Sequence, residues 1–286
     1  PETSDFNTGD NTGVGYFHVN QKRGIRMSAA RAFLKPVLKR PNLALETGVL
    51  VEKLSFEGKR CTGVLYRQDG RLVEARAKGE VILAAGAIGS PQILQLSGIG
   101  APDWLGELGI PVLHALEGVG RNLQDHPQQR ASYKVYGVKT LNTTYHSLVG
   151  RALMGMQYAL LQKGPLTMSP SQLGIFTRSS PDQERSNIEF HVQPLSLDKF
   201  GEPLHRFPAI TVSACNLRPT SRGTVRLRSA DPSAKPIIAP NYLATYEDRT
   251  VAADAIRVTR RPMRQPAMQP YHPEEYLPGP SVGDDD

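Results

Sequence analysis

The sequence predicts an α/β chain, α+β overall: a strand–turn–helix of the parallel-sheet kind, followed by a second sheet with helices. Three observations predict it. The apolar run Val81–Ala85 passes at once into "GAIGSPQILQLSGIG", which reads as a strand, a glycine turn and a helix start in succession. Beyond residue 130 the segments Ile188–Gln193, Ile210–Ala214 and Thr224–Leu227 read as strands of a second sheet. The composition, 39% hydrophobic and 21% charged over 286 residues, is that of a globular protein of one or two domains. A shift in composition near residue 130 divides the chain into 1–130 and 131–286.

Taken in order, residues 1–24 are rich in Gly, Asn, Asp and Thr and suit a loop lying over other structure. Helical spacing begins at Ser28, a suitable N-cap, and runs to Leu38, ending before Pro41. Leu43–Leu54 and Cys61–Arg67 read as strands joined by Glu57-Gly58-Lys59. Asp69-Gly70 then turns the chain into Leu72–Ala77, giving a small antiparallel hairpin unit over 43–77. Val81–Ala85 reads as a strand buried on both faces. Ser90 can cap the helix that follows, Pro91 suits its first position, and Ile93, Leu94 and Leu96 give it an apolar face until Gly98. Such a strand–turn–helix leaves backbone N–H groups free to meet an anion. Asp103–Leu108 suits a short helix, Ile110–Leu113 a strand, and Tyr145–Lys163 a helix stopped by Gly164-Pro165. Thr245, Glu247 and Asp248 open a last helix that Pro262 ends or kinks. The tail from Gln265 is Pro-rich and aperiodic.

A net charge of +7 raises the possibility of nucleic acid. The distribution argues against it, because Arg218, Arg222, Arg226 and Arg228 alternate with apolar residues and no basic run is interleaved with aromatics. No window approaches the roughly 20 apolar residues of a membrane span, and residues 1–24 show no basic-then-apolar signal pattern, so a cytoplasmic protein, at most peripheral at a membrane, is expected. Cys61 and Cys215 show neither CxxC nor His spacing. They are expected to be buried thiols in a reducing compartment, with no metal site and no nucleophile. The chain opens on Pro1 and stops at Asp284-Asp285-Asp286 after a turn-rich run, as a piece of something longer would.

"GAIGSPQILQLSGIG" resembles the second signature of the glucose–methanol–choline oxidoreductases. Two further stretches are similar to the same family: "GVGRNLQDHP" at 118–127, like its VGxNLxDH loop, and "RPTSRGTVRLRSADPSAKPIIAPNYL" from Arg218 to Leu243, like its substrate-domain segment. The resemblance, nearest to the choline-dehydrogenase-like branch, implies part of a doubly wound FAD-binding domain over 1–130 and an antiparallel-sheet substrate domain, truncated at its C-terminus, over 131–286. It implies hydride transfer from an alcohol to the flavin while a base takes the hydroxyl proton, with an electron acceptor that the residues do not identify. The family's GxGxxG unit matches nothing before Val81. His272-Pro273 is followed by Glu274-Glu275 and not Gly-Thr, so no catalytic residue is assigned in this chain, and the family's His is expected beyond Asp286. The isolated chain is accordingly expected to bind FAD weakly or not at all and to turn over no alcohol, which a stoichiometric flavin spectrum would refute.

The resemblance makes Val51, in "TGVLVEKL", a contact to adenine, and Ala85 and Gly86 the next cofactor contacts, since a side chain at the strand's end would hold a dinucleotide off the backbone. A Val on a strand face is also a core residue. His126 is read as structural, with Asp125 able to fix its ring, and His191 as able to point into a substrate cavity. Choline-oxidising relatives carry Glu where Gln172 stands. A neutral amide offers a quaternary ammonium less than a buried carboxylate, so an uncharged alcohol is expected ahead of choline. Hydroxynitrile lyases, which keep FAD without its redox chemistry, are the alternative class on this fold.

Overall fold

The computed structural model describes residues 1–199 and 201–283, so the terminal aspartates lie outside the described residues. The chain forms two compact units: Pro1–Val37, His126–Pro219 and Tyr246–Asp286 in the first, Leu38–Asp125 and Thr220–Thr245 in the second. The sequence predicted one boundary near residue 130. The division is instead discontinuous, because an N-terminal strand joins the larger sheet and residues 220–245 return to pair with the 118–127 loop.

In chain order the elements begin with β1 (Gly13–Tyr16), β2 (Gln21–Lys22), β3 (Ile25–Arg26), β4 (Val49–Glu57), β5 (Arg60–Gln68) and β6 (Arg71–Arg76). There follow α1 (Gly86–Leu96), β7 (Ile99–Gly100), α2 (Pro102–Glu107), β8 (His114–Ala115), β9 (Gln128–Lys134), α3 (Leu141–His146) and α4 (Leu148–Leu161). The chain continues with β10 (Leu173–Thr177), β11 (Ile188–Gln193), β12 (Ala209–Asn216), β13 (Thr224–Arg226) and β14 (Ile237–Ala239). It closes with α5 (Tyr246–Met263) and β15 (Glu274–Leu277).

The first unit is built on an antiparallel sheet of order β1-β10-β11-β12-β9-β15. Alternation in "IEFHVQ" sends Ile188, Phe190 and Val192 to one face and Glu189, His191 and Gln193 to the other. The apolar face, completed by Ala131, Tyr133, Val212 and Ala214, is covered by Val251, Ala255, Val258 and Met263 of α5. Val251, Ala255 and Val258 keep the three-to-four-residue spacing of a helical stripe, and Met263 extends the contact in the last turn. Glu247 and Asp248 stand at the positive end of α5, and Pro262 falls in its last turn, as expected.

In the second unit β4-β5-β6 form the predicted meander. Asp69 and Gly70 both have positive φ, +48° and +78°, which is the two-residue hairpin geometry that an Asp-Gly pair specifies. The C-terminus of α1 is fastened to β4: Ser97 Oγ accepts from Leu54 N–H at 2.9 Å and donates to the Ile93 carbonyl at 2.6 Å. Gly98, at φ +78°, closes the helix, and a Cβ there would overlap the Pro111 carbonyl.

Several elements differ from expectation for physical reasons. Val81–Ala85 forms no strand, and Ile82 is 81% exposed. No strand lies beside this run among the described residues, so its backbone has no ladder to join. Residues 43–48 are unpaired for the same reason, and the strand starts at Val49. α1 starts at Gly86, not Ser90; the Ser90 hydroxyl reaches back to accept from Ala85 N–H at 3.0 Å, and Pro91 lies inside the helix.

The Ser28–Leu38 segment is a wide π turn (Ala30–Leu34) and a 3-10 turn (Lys35–Val37) with no buried residue. Without an apolar face to pack, a short helix is marginal. Residues 145–163 break at Ser147, which caps α4 through Gly150 N–H. Pairing expected at Ile110–Leu113 falls at His114–Ala115, and β13 pairs with β14 in a separate ribbon. The loop expected over 1–24 contains β1, and the aperiodic tail contains β15, both edge strands of the large sheet. No helix among the described residues is long and apolar enough to cross a membrane.

Candidate functional site

The face of the large sheet turned away from α5 is polar. β9 contributes Arg130 and Ser132, β12 contributes Thr211, Ser213 and Cys215, and β11 contributes Glu189, His191 and Gln193. Gln172, one residue before β10, belongs to the same face: its N–H bonds the Val192 carbonyl at 3.2 Å, and Gly174, two residues on, pairs directly with His191. The two predicted substrate-pocket residues, Gln172 and His191, therefore share one face.

His191 is held by its surroundings. Its Nε2 lies 3.3 Å from Glu189 Oε1, and the Phe17 ring stands 5.1 Å from its imidazole. Gly174 makes that stacking possible, since a Cβ there would meet the Phe17 ring at 2.7 Å. Burial, with the Glu189 carboxylate beside it, pushes the Cys215 thiol up to about 12. Burial also lowers the Arg130 guanidinium from its ordinary value. The Ser213 hydroxyl, directly opposite His191, is buried with no hydrogen-bond partner among the described residues. Glu189, Cys215 and Phe17 were not singled out from the sequence; the Glu-x-His alternation in "IEFHVQ" is the signal that marks the first.

The three predicted cofactor contacts lie in the second unit. Ala85 is the N-cap of α1 and makes no side-chain cap, and Gly86 follows at φ +82° with nothing within 4 Å of where a Cβ would stand. This backbone turn is open on the side a ligand needs, so it fits an approaching dinucleotide. Val51 is a half-buried residue of β4, paired with Tyr66 beside a bulge, a position compatible with core packing as well as with adenine contact.

Elsewhere in this unit, three motifs far apart in sequence converge on the Gln95 side chain. Its Nε2 donates to the Val225 carbonyl at 2.9 Å, its Oε1 accepts from Leu227 N–H at 3.2 Å, and Gly120 packs so closely that a Cβ would stand 2.8 Å from the amide nitrogen. Val225 N–H also donates to the Gly120 carbonyl at 2.7 Å. The 118–127 loop is joined to the Asn-Tyr turn as well, through the Tyr242 hydroxyl on Asp125. His126 bonds the Leu217 carbonyl at 3.2 Å, as a structural histidine does.

Family models described as GMC oxidoreductase match residues 2–128 and 219–286. The chain is 39% identical to an alcohol dehydrogenase [acceptor] of Pseudomonas putida over 99% of its own length and 51% of that protein. It is 39% identical to an oxygen-dependent choline dehydrogenase of Chromohalobacter salexigens, over 100% and 51% respectively. It thus spans about half the length of the curated relatives it matches. Among solved structures, an FAD-dependent oxidoreductase from Chaetomium thermophilum superposes with a TM-score of 0.85 at 25% identity, covering 97% of this chain and 55% of that one. A pyridoxine 4-oxidase from Mesorbium loti does so with 0.80 at 27%, covering 96% and 50%.

Proposed function

The chain belongs to the GMC oxidoreductase family, and from that premise we propose that it serves an FAD-dependent enzyme oxidising the CH–OH group of an uncharged alcohol. The observation that carries the reading is the polar face of the six-stranded sheet, where Gln172 and His191 stand together over a largely apolar opposite face. The names of the relatives and neighbours, alcohol dehydrogenase and FAD-dependent oxidoreductase among them, point the same way.

Within this reading the second unit holds cofactor through Ala85 and Gly86, whose turn presents uncapped N–H groups at the start of α1, with Val51 as the adenine contact. The chemistry that bound FAD supplies is acceptance of a hydride from the alcohol carbon. The first unit's polar face binds and orients the alcohol. The Gln172 amide carries both donor and acceptor capacity and so suits a hydroxyl. His191, tied to Glu189 and stacked on Phe17, positions substrate; no histidine of the chain is assigned as the base. Cys61 and Cys215, both free thiols, favour a reducing, cytoplasmic setting.

A second reading, choline as substrate, is favoured by the choline dehydrogenases among the relatives. The absence of a carboxylate at Gln172 weighs against it. The two separate in the protein expressed from its complete reading frame and loaded with FAD. Neutral primary alcohols should bleach the flavin anaerobically, and choline should do so more slowly. Faster bleaching by choline would overturn the substrate assignment, and no bleaching by any alcohol would favour a lyase.

A further inference from the structure

We propose that Glu189, His191 and Cys215 form a three-donor binding site for a thiophilic divalent cation, zinc being the ion this donor set suits best. The site shares His191 with the reading above but rests on its own geometry, so its test does not depend on that reading. One oxygen, one nitrogen and one sulfur donor lie within 4.8 Å of one another. Register creates the cluster: Glu189 and His191 are two apart on β11 and share a face, and Cys215 on β12 is the direct partner of Glu189.

The spacing matches a tetrahedral ion. Zinc binds nitrogen and carboxylate oxygen at about 2.1 Å and sulfur at about 2.3 Å, which at the tetrahedral angle puts N···O edges at about 3.4 Å and S···O edges at about 3.6 Å. The chain holds His191 Nε2 at 3.3 Å from Glu189 Oε1 and Cys215 Sγ at 3.8 Å from the other carboxylate oxygen, Oε2, so the two donors flank one carboxylate that must turn to present a single oxygen to the ion. Small rotations of side chains already in contact would therefore complete the cage. Two of the donors are well covered, Cys215 at 4% and the Glu189 side chain at 14% exposure, while His191 is more open and gives the ion a way in.

Charge and hydrogen bonding agree with this assignment. Two anionic donors and a neutral imidazole balance a divalent ion. Binding forms Zn–S, Zn–N and Zn–O bonds and breaks the S–H bond, the thiol proton passing to buffer, with no change of oxidation state. Three protein donors leave a fourth position for water. The buried, unpartnered Ser213 hydroxyl, opposite His191 and two residues from Cys215, is placed to accept a hydrogen bond from that water. The guanidinium of Arg130 belongs to the same face but lies across β12, about 10 Å of sheet away from His191.

The test is titration of the tag-free chain with cobalt(II), followed by displacement with zinc. One equivalent should produce a thiolate-to-cobalt charge-transfer band that zinc abolishes. Cys215→Ser should remove the band and Cys61→Ser should keep it. Glu189→Gln and His191→Gln, near-isosteric changes at half-buried positions, should each weaken cobalt at least tenfold while circular dichroism stays unchanged, so the proposal remains testable should Cys215→Ser fold poorly. No charge-transfer band at millimolar cobalt, a band lost with Cys61→Ser, or undiminished affinity in both Gln variants would overturn it.

Discussion

Replacing Gln95 by Met should loosen the second unit by several kcal/mol. The side chain is 1% exposed, so its two hydrogen bonds have no water to replace them. Methionine keeps nearly the same volume and removes both, leaving the Val225 carbonyl and the Leu227 N–H without this partner. Each orphaned buried group costs about 1–3 kcal/mol, and the more apolar side chain returns about 1 kcal/mol. The net loss is then about 1–5 kcal/mol, against a whole-domain stability of about 5–15 kcal/mol. Trp104 is the only tryptophan in the sequence. It lies in the same unit with the Arg121 and Arg226 guanidinium groups each 4.4 Å from its ring, so urea titration followed by its fluorescence reads this unit. With a slope of about 2 kcal/mol per molar urea, a mid-range loss of about 3 kcal/mol lowers the midpoint by about 1.5 M. Gln92→Met removes one half-buried bond to the Ala234 carbonyl and should cost under about 1 kcal/mol. A Gln95→Met loss no larger than that control would refute the idea that this amide joins α1, the 118–127 loop and β13.

Gly120→Ala should destabilise the same unit by about 2 kcal/mol or more, because φ is +79° and the new methyl would overlap the Val225 carbonyl; an unchanged urea midpoint would count against that packing. In the first unit, Arg260→Met leaves the largely buried Glu275 carboxylate without its two contacts at 2.8 and 2.9 Å and should cost about 2–3 kcal/mol by thermal melting. Adding Glu275→Gln should recover part of the loss, and a double variant no better than the single would sink the ion-pair account. The Asp125 hydrogen bond raises the Tyr242 phenol above its ordinary value, so its contribution is complete below about pH 10 and is lost as the folded-state phenol ionises above it. Melting temperatures of the wild type and Tyr242→Phe should therefore differ at pH 8 and converge at alkaline pH, whereas a pH-independent difference excludes the bond. Gln172→Glu, in the FAD-loaded protein, should raise kcat/KM for choline over neutral alcohols by about tenfold, the effect of about 1.4 kcal/mol of attraction; steady-state kinetics showing no change would remove Gln172 from the substrate's surroundings.

Elements with a complete local pattern were legible in the sequence. "IEFHVQ" alternates without a break and forms the strand Ile188–Gln193 with the expected bounds, and Thr245, Glu247 and Asp248 announce α5. Val81–Ala85 was misread because an apolar run states only what a strand would need, not whether a neighbour supplies it. The start of α1 was misread because Ser90 caps backward from inside the helix. Gln172 and His191, singled out through motif and alternation, lie on the same polar face of the large sheet. The place of Cys215 was not legible, because its meeting with Glu189 is made by strand register across 26 residues, which no local spacing encodes.

The glycines of "GAIGSPQILQLSGIG" separate by the same physical criterion. Gly98 is required by the Pro111 carbonyl, Gly89 is crowded by Ala85 Cβ at 3.1 Å, and Gly100 by Gln95 Cγ at 3.3 Å. These three are accounted for by packing within the chain. Gly86 is required by its φ of +82° yet has no atom within 4 Å on the side a Cβ would fill. A turn of this kind uses backbone freedom to leave space open and not to let two parts of the chain approach. That difference, which the glycine count alone conceals, is the reason Gly86 is the glycine we propose for the cofactor, while packing accounts for the other three.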